Sequence, residues 1–299
     1  MWIFVAFLNP LLHAGANILD SYLVHRVFPV KVTLIFYSVL LNLLFLPPIF
    51  FFFGLPKLPD ARTFFLLFAL ALISVGYLYP YYKALERNDT SVIVSLFALG
   101  KVFVPILAFF LVHEVLAPVQ YLGVAIVVLS GVFVNFERTA GRKLNSSLWW
   151  MIGCTMILAI EAVLYKYAFL SVDWITGFTW PVALAFLSVL PTLIVPRFRR
   201  DIFNGARTFV HNAPLFAAEE FLTFAGMGAG TYAISVASVT VVQTVMSVQP
   251  IFVLVYASVF HKLFPGVFKE QLDRGSVKKK ILFFILMILG VALTLAPAR

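Results

Sequence analysis

The residues hardest to reconcile with their surroundings are the charged ones embedded in long apolar runs. Lys101 stands near the middle of the run 90–112, about eleven residues from either end. An ionisable group surrounded by hydrocarbon costs at least about 2.5 to 3.5 kcal/mol, so it must face protein or a wet cavity. Pro105 cannot donate a backbone hydrogen bond, which frees the carbonyl of Lys101 itself, four residues back. A charge and a bare carbonyl therefore share one turn. Lys101 is expected to bind an anionic group or to pair with a carboxylate, snorkelling being the alternative. Glu161, deep in another run, is its natural partner or else a carrier of a coupling proton. Glu219 and Glu220 fall within a third run. Adjacent helical residues point about 100° apart, so at most one is expected to face a central cavity, and Glu220 is favoured.

Uncharged polar residues add stripes. Asn9, His13, Asn17 and Asp20 lie within an arc of about 80° on one helix, a polar line on an apolar cylinder that should face a pathway or bond to a neighbouring helix. Thr240, Gln243, Thr244 and Ser247 form a comparable line ending at Gln249-Pro250, suited to a zwitterion, to a polyol or to close packing. Tyr79 and Tyr82 can supply aromatic contacts or sit at a membrane interface. Gly226, Gly228 and Gly230 permit close helix approach or bending.

None of this is enzyme chemistry. The five histidines are scattered at positions 13, 25, 113, 211 and 261, without HExxH, GxSxG or a phosphate loop. No metal or cofactor site is expected. The single cysteine, Cys154, lies in an apolar run and excludes internal disulfides and zinc ribbons.

The elements that must position these groups follow from composition. Of 299 residues, 62% are hydrophobic and 12% charged, far from the roughly 45 to 50% apolar content of soluble domains. Mean hydropathy is +1.01. Apolar runs fall at roughly 2–24, 30–54, 63–83, 90–112, 117–136, 147–170, 174–196, 212–235, 238–261 and 279–297. Each suits a spanning helix of about 20 residues, so the expected fold class is an all-α polytopic membrane protein of about ten transmembrane helices. The first run has no basic leader and no small-residue cleavage site, so it reads as a helix rather than a cleaved signal. The net charge of +9 sits between runs, where it meets lipid headgroups rather than nucleic acid.

The fourth and ninth runs share a grammar. ALERNDTSVIVSLFALGK, residues 84–101, stands against AISVASVTVVQTVMSVQP, residues 233–250. Each is followed by an acidic residue, Glu114 or Glu270, and then by a last run ending in Gly-Val, at Gly131-Val132 or Gly290-Val291. Five runs per half, an odd number, would make the halves 1–139 and 144–299 an inverted repeat, the architecture of many secondary transporters.

The first unit, continuing through VFVPILAFFLVHEVLAPVQYLGVAIVVLSGV, and the second, with VQPIFVLVYASVF, FPGVFKE and ILGVAL, resemble the repeat of the drug/metabolite transporter superfamily, its ten-helix EamA-type branch. Lys101 stands where that family usually has proline, and the second acidic residue is displaced. The resemblance implies two inverted five-helix repeats, a cavity lined by runs 1, 3, 4, 6, 8 and 9, and transport of small metabolites. The expected function is secondary active transport of a small polar metabolite, such as an amino acid, by alternating access with possible proton coupling. A flippase for a lipid-linked precursor and a non-transporting scaffold are the alternatives. The expected partners are a small-molecule substrate and the lipid bilayer, not nucleic acid, for a monomer or homodimer in the cell (inner) membrane.

Lys and Arg number 17 in the odd-numbered connectors and 4 in the even connectors and ends. That count favours both termini outside, whereas the resemblance implies both inside.

Overall fold

The computed structural model describes residues 1–28, 30–86, 90–133, 146–263 and 274–296, all-helical and without strands among them. Arg87, Arg138, Arg142, Lys143, Lys269 and Glu270, which entered the charge count and the repeat, lie outside the described residues. Among the described residues seven helices are long and apolar enough to cross a membrane, against the ten runs expected. The fifth and tenth runs give shorter apolar helices, Pro118–Phe133 and Ile281–Thr294. The eighth is a 24-residue helix whose apolar character is diluted by Glu219, Glu220 and three glycines. Large apolar side chains cover the outside, with Phe51 84% and Phe110 70% exposed, which no aqueous surface would tolerate at this density. The protein is a polytopic membrane protein.

In chain order the helices are α1 (Trp2–Tyr22), α2 (Lys31–Leu44), α3 (Leu46–Phe53), α4 (Ala61–Gly76), α5 (Leu78–Leu85), α6 (Thr90–Lys101), α7 (Phe103–Val112) and α8 (Pro118–Phe133). They continue as α9 (Ser146–Ala168), α10 (Trp174–Val189), α11 (Pro196–His211), α12 (Ala213–Val236), α13 (Val239–Met246), α14 (Gln249–Leu263) and α15 (Arg274–Thr294).

Four runs are broken helices, and proline accounts for each break. The second breaks at Phe45 before Pro47-Pro48, the third at Tyr77 before Pro80, the fourth at Val102 before Pro105, and the ninth at Ser247-Val248 before Pro250. A proline ring removes the bond to the carbonyl four residues back and crowds it, so the ladder opens just ahead. Irregular backbone at membrane depth is tolerated only where it is buried in protein or lines a cavity. With 84–101 set against 233–250, the ninth run breaks three to four residues earlier than the fourth, as its proline, Pro250, stands opposite Lys101 rather than Pro105.

Packing follows an exchange rule. The first run packs on the eighth (α1 on α12) and the sixth on the third (α9 on α4 and α5). The first packs on the ninth (α1 on α13 and α14) and the sixth on the fourth (α9 on α6 and α7). The fifth and tenth pack on each other (α8 on α15), as do the second and seventh (α2 on α10). Adding or subtracting five turns each pair into another observed pair or into itself. The amphipathic α11, between the seventh and eighth runs, breaks the pattern. It docks on α2 through stacked Tyr37 and Phe209 rings 4.3 Å apart and a Tyr37 hydroxyl donating to the Ile202 carbonyl at 2.9 Å. Arg197, Arg199, Arg200 and Arg207 lie along this helix, the composition of an interfacial helix beneath headgroups.

Glycine permits the tightest of these contacts. A Cβ on Gly290 would meet the Gly123 carbonyl oxygen at 2.8 Å and the Val127 side chain at 2.7 Å, so α8 and α15 touch backbone to backbone.

At the end where the chain begins, polar groups lace the halves together. The Glu114 carboxylate, beyond α7, accepts the backbone N–H groups of Val239 at 2.9 Å and Thr240 at 3.0 Å, capping α13. Within residues 144–299, Lys166 donates to the carbonyls of Ile234 and Ala237 at the close of α12. Lys57 pairs with Asp173 at 3.1 Å, and Gln120 donates to the carbonyls of Thr294 and Ala296.

Two outcomes follow. Gly290→Leu should overpack the α8–α15 contact by about 1 to 3 kcal/mol and lower the apparent Tm in detergent, whereas Gly153→Ala, whose Cβ would meet nothing within 4 Å, should leave it unchanged or raise it. Glu114→Ala should cost about 1 to 2 kcal/mol by stripping two helix N–H groups of their acceptor, and the same thermal melt reads it.

Candidate functional site

The breaks, the α1 stripe and the paired acids meet around one internal cavity of about 230 Å³. From α1 it receives Asn9, His13, Asn17 and Asp20, all four members of the polar stripe. The stripe is held on its helix's inner side by α12, where glycine lets α1 sit close. The Asn9 amide donates to the Gly226 carbonyl at 2.8 Å, and a Cβ on Gly226 would run into the His13 ring.

The paired acids come from α12. Glu220 Oε2 accepts from the Asn42 amide of α2 at 2.8 Å, and Glu219 Oε1 accepts from the Thr223 hydroxyl one turn on at 2.9 Å. Both carboxyl groups line the cavity, contrary to the expectation that only Glu220 would. Two long side chains diverging by about 100° reach round a cavity that α12 borders broadly.

α5 begins at the Tyr77 break and brings Tyr81 and Tyr82 to the wall, with Tyr77 itself beside them. The Tyr81 hydroxyl, buried, bridges Asp20 Oδ2 at 2.9 Å and Asn17 Oδ1 at 3.2 Å, so α1 and α5 are pinned together at the acidic end.

Lys101 lines the cavity at the close of α6. Its ammonium donates to the Gln243 side-chain carbonyl on α13, not to Glu161 as expected. The broken fourth and ninth runs thus meet across the midline through one polar contact. Glu161, on α9, also lines the cavity, but it accepts from the Ser74 hydroxyl of α4.

The structure therefore gathers Lys101, His13, Asn17, Tyr82, Gln243, Glu161 and Glu220 around one space, and leaves three of the sequence-derived candidates off its wall. Tyr79 is 41% exposed and stands edge-on to Trp150 at 6.0 Å, with the Lys83 ammonium 6.0 Å from its ring. Thr244 and Ser247 are buried and return their hydroxyl protons to the carbonyls of Thr240 and Gln243, each 2.8 Å away on their own segment.

Sequence reasoning placed Asp20 in the α1 stripe but passed over Asn42, Ser74, Tyr77 and Tyr81 as site residues. Ser38 with Asn42, and Tyr77 with Tyr81, each stand four residues apart on an apolar run, the spacing that marks one helical face.

Residues 1–136 match the EamA-like transporter family, part of the drug/metabolite transporter superfamily, as the first of the two quoted units led us to expect. No curated protein matches the chain. A solved crystal structure aligns over 100% of this chain and 97% of its own length at a TM-score of 0.60 and 14% identity, a likeness of fold alone.

Tyr81→Phe removes the hydroxyl shared by Asp20 and Asn17 while keeping the ring. A buried carboxyl stripped of its donor costs about 1 to 3 kcal/mol, so this variant should lower the apparent Tm in detergent while inserting at wild-type yield.

Proposed function

We propose that this chain, EamA-like over its first 136 residues, is a secondary carrier that moves a small polar metabolite, such as an amino acid, by alternating access, with a carboxyl group on its cavity wall carrying a coupling proton. One observation carries the reading. The cavity is walled jointly by α1, α2, α4 to α6 and by α9, α10, α12 and α13, and both halves contribute ionisable side chains to it. A scaffold has no use for charged groups held at such cost in hydrocarbon. A cavity of about 230 Å³ sits below the roughly 300 to 1,000 Å³ of drug-sized pockets, which suits a small solute better than a lipid-linked precursor.

The exchange rule in the packing supports two related halves, 1–139 and 144–299, entering the membrane from opposite faces. Two such halves can trade conformations and open the same cavity to either side in turn. Glu114, Lys57 with Asp173, and Gln120 form the closed gate in this state, because they join first-half and second-half elements at one end. Opening that end requires each of these contacts to part. Lys101, held by Gln243 where the two broken runs meet, is placed to sense which way the halves have rocked, and Glu161 and Glu220 are the proton-carrying candidates. A multi-pass position in the cell's inner membrane completes the reading.

Purified protein in liposomes tests it. Wild type should show saturable counterflow of a small metabolite, and Lys101→Ala should insert at wild-type yield yet transport at under about a tenth of the rate, the effect of losing about 1.4 kcal/mol or more. Normal uptake by that variant would remove Lys101 from the mechanism.

A further inference from the structure

We propose that the cavity's acidic end binds a protonated aliphatic amine, so that the solute carried is an organic cation such as a short diamine or a basic amino acid. The inference rests on the carrier reading above and specifies its substrate.

Charge on the wall is lopsided. Asp20, Glu161, Glu219 and Glu220 face one space with Lys101 as the ammonium among its lining residues. The Lys101 ammonium is engaged by Gln243, and the ion pairs among the described residues join other groups, Lys31 and Lys83 to Glu86 and Lys57 to Asp173. Among the described residues one ammonium, that of Lys101, therefore stands on this wall against four acidic side chains. An anionic solute would enter a cavity already rich in acids, whereas a cation relieves it.

Unfilled hydrogen-bonding capacity points the same way. Asp20, Glu219 and Asn17 are 5%, 2% and 6% exposed, and each keeps an atom without a partner: Asp20 Oδ1, Glu219 Oε2 and Asn17 Nδ2. Two of these atoms are carboxylate oxygens, which as anions only accept, so what completes them must bring N–H or O–H donors. The Tyr81 hydroxyl holds the other Asp20 oxygen, Oδ2, and Thr223 holds the other Glu219 oxygen.

A bare metal ion does not fit, because among the described residues no three acidic, histidine or cysteine side chains converge as ligands would. A primary ammonium does, with three donors spread about one charge. The rings of Tyr77, Tyr81 and Tyr82 on the same wall offer π faces to an alkylammonium.

Lys101, with His13, Asn9 and Gln243 nearby on the wall, decides between the two sources of such an amine. A basic amino acid would place its carboxylate there, and a diamine would not.

The test is counterflow in liposomes containing the full chain, with 1,4-diaminobutane, lysine, serine and glutamate as competing solutes. Diaminobutane or lysine should compete at least tenfold better than serine or glutamate. Glu220→Gln and Asp20→Asn should each raise the amine's half-saturation at least tenfold while keeping a monodisperse profile and the wild-type Tm. With Lys101→Gln, a tenfold weaker binding of lysine and unchanged binding of diaminobutane, read by thermal shift, would identify the basic amino acid as the source; preference for diaminobutane in wild type would identify the diamine. Saturable counterflow of serine or glutamate that neither amine inhibits would overturn the proposal and leave the carrier reading standing. Amine binding that depends on Glu220, with no counterflow of any solute, would support the amine site and overturn the carrier reading.

Discussion

The constraint on which this structure depends is that charge cannot be left in hydrocarbon. Lys101, Asp20, Glu161 and the adjacent pair Glu219 and Glu220 lie on four different helices, far apart in sequence, yet all reach one cavity. Their helices are otherwise covered by phenylalanine, leucine and isoleucine facing outward. The cost of a misplaced charge, at least about 2.5 kcal/mol for each, exceeds what most apolar contacts between helices in lipid can return, because lipid tails compete equally for those contacts. Polar groups therefore set the rotation of each helix about its own axis, and apolar packing fills in behind them.

Backbone polarity obeys the same rule. Each proline that breaks a run frees a carbonyl, and a freed carbonyl is as unwelcome in lipid as a side-chain hydroxyl. The breaks at Tyr77, Val102 and Ser247-Val248 all fall beside cavity-lining residues, namely Tyr77 itself, Lys101 and Met246. Broken helices also give a carrier short rigid segments joined by compliant points, so a half can rock without unfolding a whole span. Close glycine contacts at Gly123 and Gly290, and at Gly226 beneath His13, hold the remaining spans near enough for the cavity wall to stay continuous.

How much of this could be read in the sequence depended on periodicity. The α1 stripe was legible because four polar residues at helical spacing on an apolar run have one common direction, and that direction proved to be the cavity. The Pro105 break was legible because a single residue's covalent chemistry dictates it. Thr244 and Ser247 were not, since a hydroxyl bonded to its own helix is as content in packing as at a site, and residue type does not distinguish the two. The partner of Lys101 was not legible either. Glu161 was the obvious counter-charge by type, but Ser74 and Gln243 are the groups that topology brings within reach. The second acid, Glu219, was set aside on helical angle alone, which ignores the reach of a glutamate side chain.

The polar lacing at the end where the chain begins has mechanical content. There, side-chain bonds join residues 1–139 to 144–299 at Lys57 with Asp173, Arg62 with Tyr167, Glu114 with α13 and Gln120 with the close of α15. Most of them involve a backbone group at a helix end, where four N–H or C=O groups lack internal partners. A helix end bonded by a partner from the other half is satisfied only while the halves stay together, and water can replace that bond when they part. Exposed bonds of this kind are individually modest, about 0.5 to 1.5 kcal/mol, so such a seal is firm as a set yet opens without a large barrier at any one contact. The buried contacts at the cavity, Lys101 with Gln243 and Tyr81 with Asp20, lack that replacement until water or a solute enters. In the carrier reading proposed above, α13 is the element through which cavity occupancy would act on the seal, since it carries Gln243 on its wall side and the Glu114 cap at its first turn.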